Sequence, residues 1–99
     1  MARFIAFFRD DPAADWVRKE HDRDHFAYLD AHKDRILLAG GLRPGPGEWY
    51  CGGLWILEVA DRDEAVRLVE DDPYFKLGLR RGYELFTWGK APCYGAVTL

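Results

Sequence analysis

A chain of 99 residues, 48% hydrophobic and 15% aromatic, has room for a single domain over residues 1–99, and folding at this size buries roughly 60 to 65 per cent of the unfolded surface without disulfide or metal staples. A formal charge of -3 and a pI near 5.5, with no basic stripe, exclude the phosphate-neutralising surface on which non-specific nucleic-acid binding depends. No apolar run approaches the ~20 residues of a membrane span, Met1-Ala2-Arg3 does not open an export signal, and Cys51 and Cys93 form neither a metal spacing nor a disulfide framework, so a cytoplasmic protein with reduced thiols and no membrane partner is expected.

Along the chain, Arg3 to Arg9 sets Phe4, Ala6 and Phe8 against Ile5 and Phe7, a strand apolar on both faces and therefore central. Asp15 is placed to cap a helix from about Trp16 to Lys33, with Val17, Phe26, Leu29 and Tyr28 near helical spacing and a charged first half. Arg35 to Ala39 reads as a second strand closed by Gly40-Gly41, and Leu54 to Val59 as a third. Residues 40–53 between them hold six of the ten glycines and two of the five prolines, an irregular excursion able to cover a site. Asp61 and Glu64 have capping-box spacing and open a second helix that runs to Val69 or Glu70. Tyr83 to Trp88 gives the fourth strand, and residues 90–99 form a C-terminal tail with apolar residues to dock.

Strand, helix, strand, strand, helix, strand is the ferredoxin-like βαββαβ order: an α+β fold with two helices on one face of a four-stranded antiparallel sheet. The other face is apolar as well. A two-fold homodimer packing sheet on sheet would hide it with one self-complementary surface, so a dimeric α+β barrel is expected, with Trp16, Trp55 and Trp88 in core or interface.

The helix that carries Ala65, Val66, Leu68 and Val69 meets Asp72-Pro73, where proline disfavours helical geometry at the residue before it and has no N–H to donate. Asp72 is thereby held at a fixed corner, and His25 on the first helix is its candidate partner. His25 with Leu29, Gly40-Gly41-Leu42 at the end of strand two, Ala65, and Asp72-Pro73-Tyr74 with Gly78-Leu79 together resemble the YciI-like (YCII-related) family over nearly the whole chain. The resemblance implies a dimeric α+β barrel related to the muconolactone isomerases, with a His/Asp pair in a cleft. Some relatives are linked to dehalogenation of chlorinated muconolactones. Carried over by position, the pair falls on His25 and Asp72, with Tyr74 beside it. The family often has a basic residue three before the histidine, whereas Asp22 stands there in this sequence, followed by Arg23.

Without the family, a histidine beside an aspartate is a candidate general base, because the carboxylate holds one imidazole nitrogen and aims the other at a substrate proton. The plainer alternative buries His25 in the helix interface and leaves Asp72 to cap the turn. Tyr74 either donates to a substrate oxygen or packs in the core. Arg43, Trp49 and Tyr50, the one cation and two aromatics of the loop from Arg43 to Tyr50, would suit a lid over a small anionic or aromatic ligand, the alternative being a hairpin excursion that packs Trp49 on a partner subunit. His21 and His25 stand four apart, but no third ligand on another element is evident, so no metal is assigned. The glycines open no phosphate-binding helix, no cofactor is expected, and Cys51 has no activating neighbour in sequence. Together with what the resemblance implies, the reading is an enzyme, isomerase-like or dehalogenase-like, that moves a proton on a small carboxylate or lactone with His25 and Asp72. Its alternative is a non-catalytic dimeric module that binds a metabolite or assists another enzyme.

Overall fold

The alternation of β1 (Ala2–Asp10) sends Phe4, Ala6 and Phe8 to one face of the sheet and Ile5 and Phe7 to the other. β1 pairs antiparallel with β3 (Gly52–Val59) and β4 (Arg80–Thr87), while β2 (Ile36–Leu42) flanks β3, giving the order β2-β3-β1-β4. With α1 (Trp16–Ala31), α2 (Arg62–Asp71) and the one-turn α3 (Pro73–Lys76), this is the ferredoxin-like α+β fold that the order of elements predicts, with α3 added. The structure, a computed structural model, describes residues 1–97, so the last two residues of the 90–99 tail lie outside the described residues. No helix among the described residues is long and apolar enough to cross a membrane.

The register explains the core. Phe4 faces Leu57, Ala6 faces Trp55 and Phe8 faces Gly53, and these meet Ile36, Ala65 and Val69 beneath the helices. Burying each large apolar side chain there contributes roughly 1.5–3 kcal/mol. On the opposite face Ile5 lies between Ile56 and Phe86, with Phe7 beside Leu54 and Leu38 beside Ile56. Phe86 is 51% exposed and Leu38 55% exposed, so among the described residues this second apolar face is left without full cover.

Several boundaries differ from the sequence expectation. β2 continues through Gly40 and Gly41 to Leu42 and β3 begins at Gly52, so the irregular loop is shorter than residues 40–53. Glycine serves here for closeness rather than for a turn: Gly41 pairs with Gly53, and a Cβ at Gly52 would collide with the Phe8 carbonyl. Asp15 does not cap α1. Asp11 instead accepts from Ala13 N at 3.0 Å and caps a 3-10 turn, Pro12–Ala14, which runs into α1 through an already helical Asp15. α1 ends at Ala31, short of Lys33, and is broken at His21, whose φ of -126° and ψ of 19° are not helical. β4 starts at Arg80, three residues before Tyr83, because Arg80 pairs with Asp10 across a register shift in β1. The Asp61 cap forms as its spacing predicts, accepting from Glu64 N at 2.9 Å, while Glu64 accepts from Ala60 N at 2.7 Å.

Candidate functional site

On α1 the burial pattern runs against hydrophobicity: His25 is 6% exposed while its neighbour Phe26 is 59% exposed. An imidazole in the interior needs a partner. Asp72 provides it from the corner between α2 and α3, where its φ of -65° and ψ of 135° end one helix and start the next. Its Oδ1 lies 2.7 Å from His25 Nδ1 and also accepts from Tyr74 N at 3.3 Å. Capping the turn and holding the histidine are thus done by one oxygen. Asp72 Oδ2 is sealed from solvent without a hydrogen-bond partner, so the carboxylate is not saturated.

Tyr74 follows Pro73 into α3 and stacks on His25, with ring centroids 3.7 Å apart and planes 9° from parallel. Burial pushes its phenol above the ordinary range against the opposing pull of Arg18 and Arg80, so the hydroxyl stays protonated at neutral pH. Both guanidinium carbons lie 5.2 Å from the Tyr74 ring centroid. The charged groups and the His/Asp pair therefore surround one aromatic ring.

The cations are held by Asp10, the next inward position after Phe4, Ala6 and Phe8 on β1. Arg80 Nη1 donates to Asp10 Oδ1 at 2.7 Å, and Arg18 Nε donates to Asp10 Oδ2 at 3.0 Å. Arg18 Nη2 also donates to the Gly52 carbonyl at 2.8 Å. Gly78, with φ of 85°, lets the chain turn back after α3 so that Arg80 enters β4 beneath the site. Gly53 leaves room for it: a Cβ there would stand 3.3 Å from both terminal nitrogens of Arg80. Burial lowers the proton affinity of Arg80, with Asp10 opposing, although a guanidinium keeps its charge in proteins.

These groups open on a cavity of about 210 Å³ bounded by α1, the Gly40-Gly41 end of β2, Trp55 on β3, Tyr74 and Arg80. That is below the roughly 300 Å³ at which pockets begin to suit drug-sized ligands, so a small occupant fits. Trp49 and Tyr50 form the outer wall, and Tyr50 lies under Arg18, whose guanidinium carbon is 4.4 Å from its ring centroid.

Of the residues singled out from the sequence, the structure brings His25, Asp72, Tyr74 and Trp49 together, with Asp72 behind the others. Arg43 does not line the cavity; its guanidinium carbon lies 5.2 Å from the centroid of the Tyr50 ring, which does. Trp55 is buried at the cavity floor, whereas Trp16 and Trp88 are partly exposed in the single chain. Tyr50, the second aromatic of the expected lid, joins Trp49 in the cavity wall, whereas Arg18, Arg80 and Asp10 were not anticipated. Arg18 stands seven before His25 on the same helical face, and Asp10 extends the inward alternation of β1 to a charge that must find a partner; both are readable signals. Among the described residues no group of three or more His, Cys, Asp or Glu is arranged to hold a metal ion, and both cysteines are free and exposed.

The YCII-related domain matches residues 2–89, from β1 to just beyond β4. The chain belongs to the YCII-related domain family. Among solved structures, this YCII-related domain is similar to 5-chloro-2-hydroxyhydroquinone dehydrochlorinase from Burkholderia phenoliruptrix AC1100 in complex with 2,5-dihydroxybenzoquinone, with a TM-score of 0.81 and 27% identity over 90% of this chain and 95% of that one. It shares its fold with Protein Atu4242 from Agrobacterium tumefaciens, with a TM-score of 0.56 and 16% identity over 93% of this chain and 95% of that one. No curated protein matches the sequence.

Proposed function

We propose that this YCII-related domain is a small-molecule enzyme in which His25 moves a proton on a compact oxygenated ring and Asp72 orients it, with dehydrohalogenation as the reaction. One observation carries this reading: His25 Nδ1 is tied to a buried carboxylate at 2.7 Å beside an aromatic-walled cavity that His25 lines, which leaves Nε2 as the nitrogen available to a ligand. The dehydrochlorinase named above, similar over most of its length, supports the reaction class.

Loss of HCl from a chlorinated polyhydroxybenzene balances without any redox partner. One hydroxyl proton passes to His25, and the imidazolium returns it to the ring carbon that bears chlorine. A second hydroxyl proton then leaves as chloride departs, and a hydroxyquinone remains. The same proton relay serves lactone or carboxylate substrates that ionise beside a carbonyl. Chloride release from 5-chloro-2-hydroxyhydroquinone by the wild type, and its absence in His25→Asn, is the expected result. A wild type that releases no chloride from this or related chlorinated hydroxybenzenes would sink the dehydrohalogenation reading.

The second apolar face of the sheet, with Ile5, Phe7, Leu38 and Phe86, supports a homodimer formed sheet to sheet. Arg9 and Glu84, joined at 2.7 Å on that same face, supply a polar rim. This arrangement leaves the cavity on the helical side accessible.

A further inference from the structure

Two guanidinium groups in this site share one carboxylate. Asp10 gives one oxygen to Arg80 and the other to Arg18, with the side chains of all three 90% or more buried: 2% exposed for Asp10, 1% for Arg80 and 10% for Arg18. Within this trio one positive charge is left over, and the other carboxylates nearby are Asp22, which lines the cavity, and Asp72, which acts on Arg80 from behind His25. A guanidinium held away from water is stabilised where its free N–H groups meet an anion.

The hydrogen-bond inventory shows where the anion would sit. Arg18 commits Nε to Asp10 and Nη2 to Asp10 and Gly52, leaving Nη1 without a partner among the described residues. That free edge points toward Gly41, since a Cβ on Gly41 would stand 3.6 Å from Nη1, and Gly41 lines the cavity. Arg80 Nε, in the same cluster, is also buried with no partner. The plane of Arg18 is fixed from below by the Tyr50 ring, so the free edge is presented rather than mobile.

We propose that the Nη1 edge of Arg18, backed by Arg80 and Asp10, is an anion subsite that makes the cavity select ligands carrying an ionised oxygen: a phenolate, an enolate or a carboxylate. The subsite narrows the substrate class of the proton-transfer reading above and rests on it only in sharing the cavity. The ionised oxygen sits on Arg18 while the ring lies along Tyr74 and His25, and charge that develops on that oxygen during proton transfer meets a fixed cation. Arg18 holds this position because it is braced by Asp10 on β1 and by the Gly52 carbonyl at the start of β3.

Binding of two probes to the wild type, measured by calorimetry, tests this: 2,5-dihydroxybenzoquinone, ionised at neutral pH, and its neutral dimethyl ether. The ionised probe is expected to bind about tenfold or more tightly than the ether, and Arg18→Gln to remove that preference while Arg18→Lys restores part of it. Equal affinities for the two probes, no binding of the ionised probe at millimolar concentration, or a folded Arg18→Gln that keeps the preference would each overturn the subsite. If Arg18→Gln does not fold, the wild-type comparison still decides. Chloride release is scored separately: a protein that prefers the anion without releasing chloride loses the proposed reaction and keeps the subsite, and one that turns over without preference does the reverse.

Discussion

His25 Nδ1 and Asp72 Oδ1, on residues 47 positions apart in sequence, meet at 2.7 Å, and the same oxygen caps the turn that places Tyr74 on the imidazole. This double use decides which substitutions are informative. His25→Ala strands a buried carboxylate that already has one unpaired oxygen and should lower stability by about 1–3 kcal/mol, mixing folding with function. His25→Asn puts an amide N–H near the position of Nδ1 while removing Nε2. It should keep a melting temperature close to wild type and lose on the order of 10²–10⁴-fold in kcat. A variant that retains turnover would remove His25 from the chemistry.

Asp72→Asn separates capping from orientation. The amide oxygen can still accept from Tyr74 N, so the turn should persist, but the negative charge that fixes the imidazole tautomer is gone. Steady-state kinetics should show a fall in kcat of about 10²-fold or more with KM changed little. A loss confined to thermal stability, with kcat preserved, would assign Asp72 to the turn alone.

How far these residues were legible in the sequence depends on the range of the forces that place them. The βαββαβ order and the Asp61 cap were readable because alternation and capping are local. The His25/Asp72 pair was readable because proline fixes Asp72 at a corner and the order of elements brings that corner to α1. Asp10 and Arg18 each left a local signal, but their meeting with Arg80 did not, since it depends on a register shift after Arg9 that no local pattern encodes. Arg43 was favoured as the only cation of the glycine-rich loop, yet Tyr50 lines the cavity and Arg43 does not, a placement that depends on how the loop closes rather than on composition. The same glycines suggested a longer loop than exists, since Gly40, Gly41, Gly52 and Gly53 serve strands whose neighbours press close.

Gly41 tests how the cavity wall is built. A Cβ there would lie 2.5 and 2.6 Å from Cδ1 and Cε1 of Tyr50, so Gly41→Ala must move the Tyr50 ring and release the face on which Arg18 rests. Tyr50 is a loop residue, so the stability loss should stay under about 1–2 kcal/mol while binding of an ionised ring weakens several-fold. Gly52→Ala is the contrast. Its added methyl meets the Phe8 carbonyl rather than a movable ring, and it should destabilise the sheet by more than Gly41→Ala does. Urea unfolding of both variants checks the order, and the reverse order would mean that Tyr50 is not free to shift.

Alkaline pH should weaken the fold through its tyrosines. Burial and the 2.8 Å bond to Glu70 raise the Tyr83 phenol from 10.0 to about 12, and burial raises Tyr28 and Tyr74 in the same direction. The folded state therefore holds more protons than the unfolded state as pH rises from 10 toward 12 for Tyr83, and unfolding free energy falls across that window. The contribution is fully present below pH 10. Urea midpoints followed through the window should decline less steeply in Tyr83→Phe than in wild type. Equal slopes would mean that Tyr83 ionises alike in both states.

The apolar sheet face gives a prediction about assembly that leaves the site untouched. Phe86 lies on that face beside Ile5, 51% exposed, so within one chain Phe86→Lys should change stability by no more than about 0.5 kcal/mol. In a dimer packed sheet to sheet the lysine charge would be buried without a partner, which is strongly unfavourable at the centre of an interface. Light scattering should therefore find a dimer for the wild type and a folded monomer for Phe86→Lys, with Phe86→Ala between them. If the wild type is monomeric, or if Phe86→Lys assembles as the wild type does, the sheet face is not the surface through which copies of this chain meet.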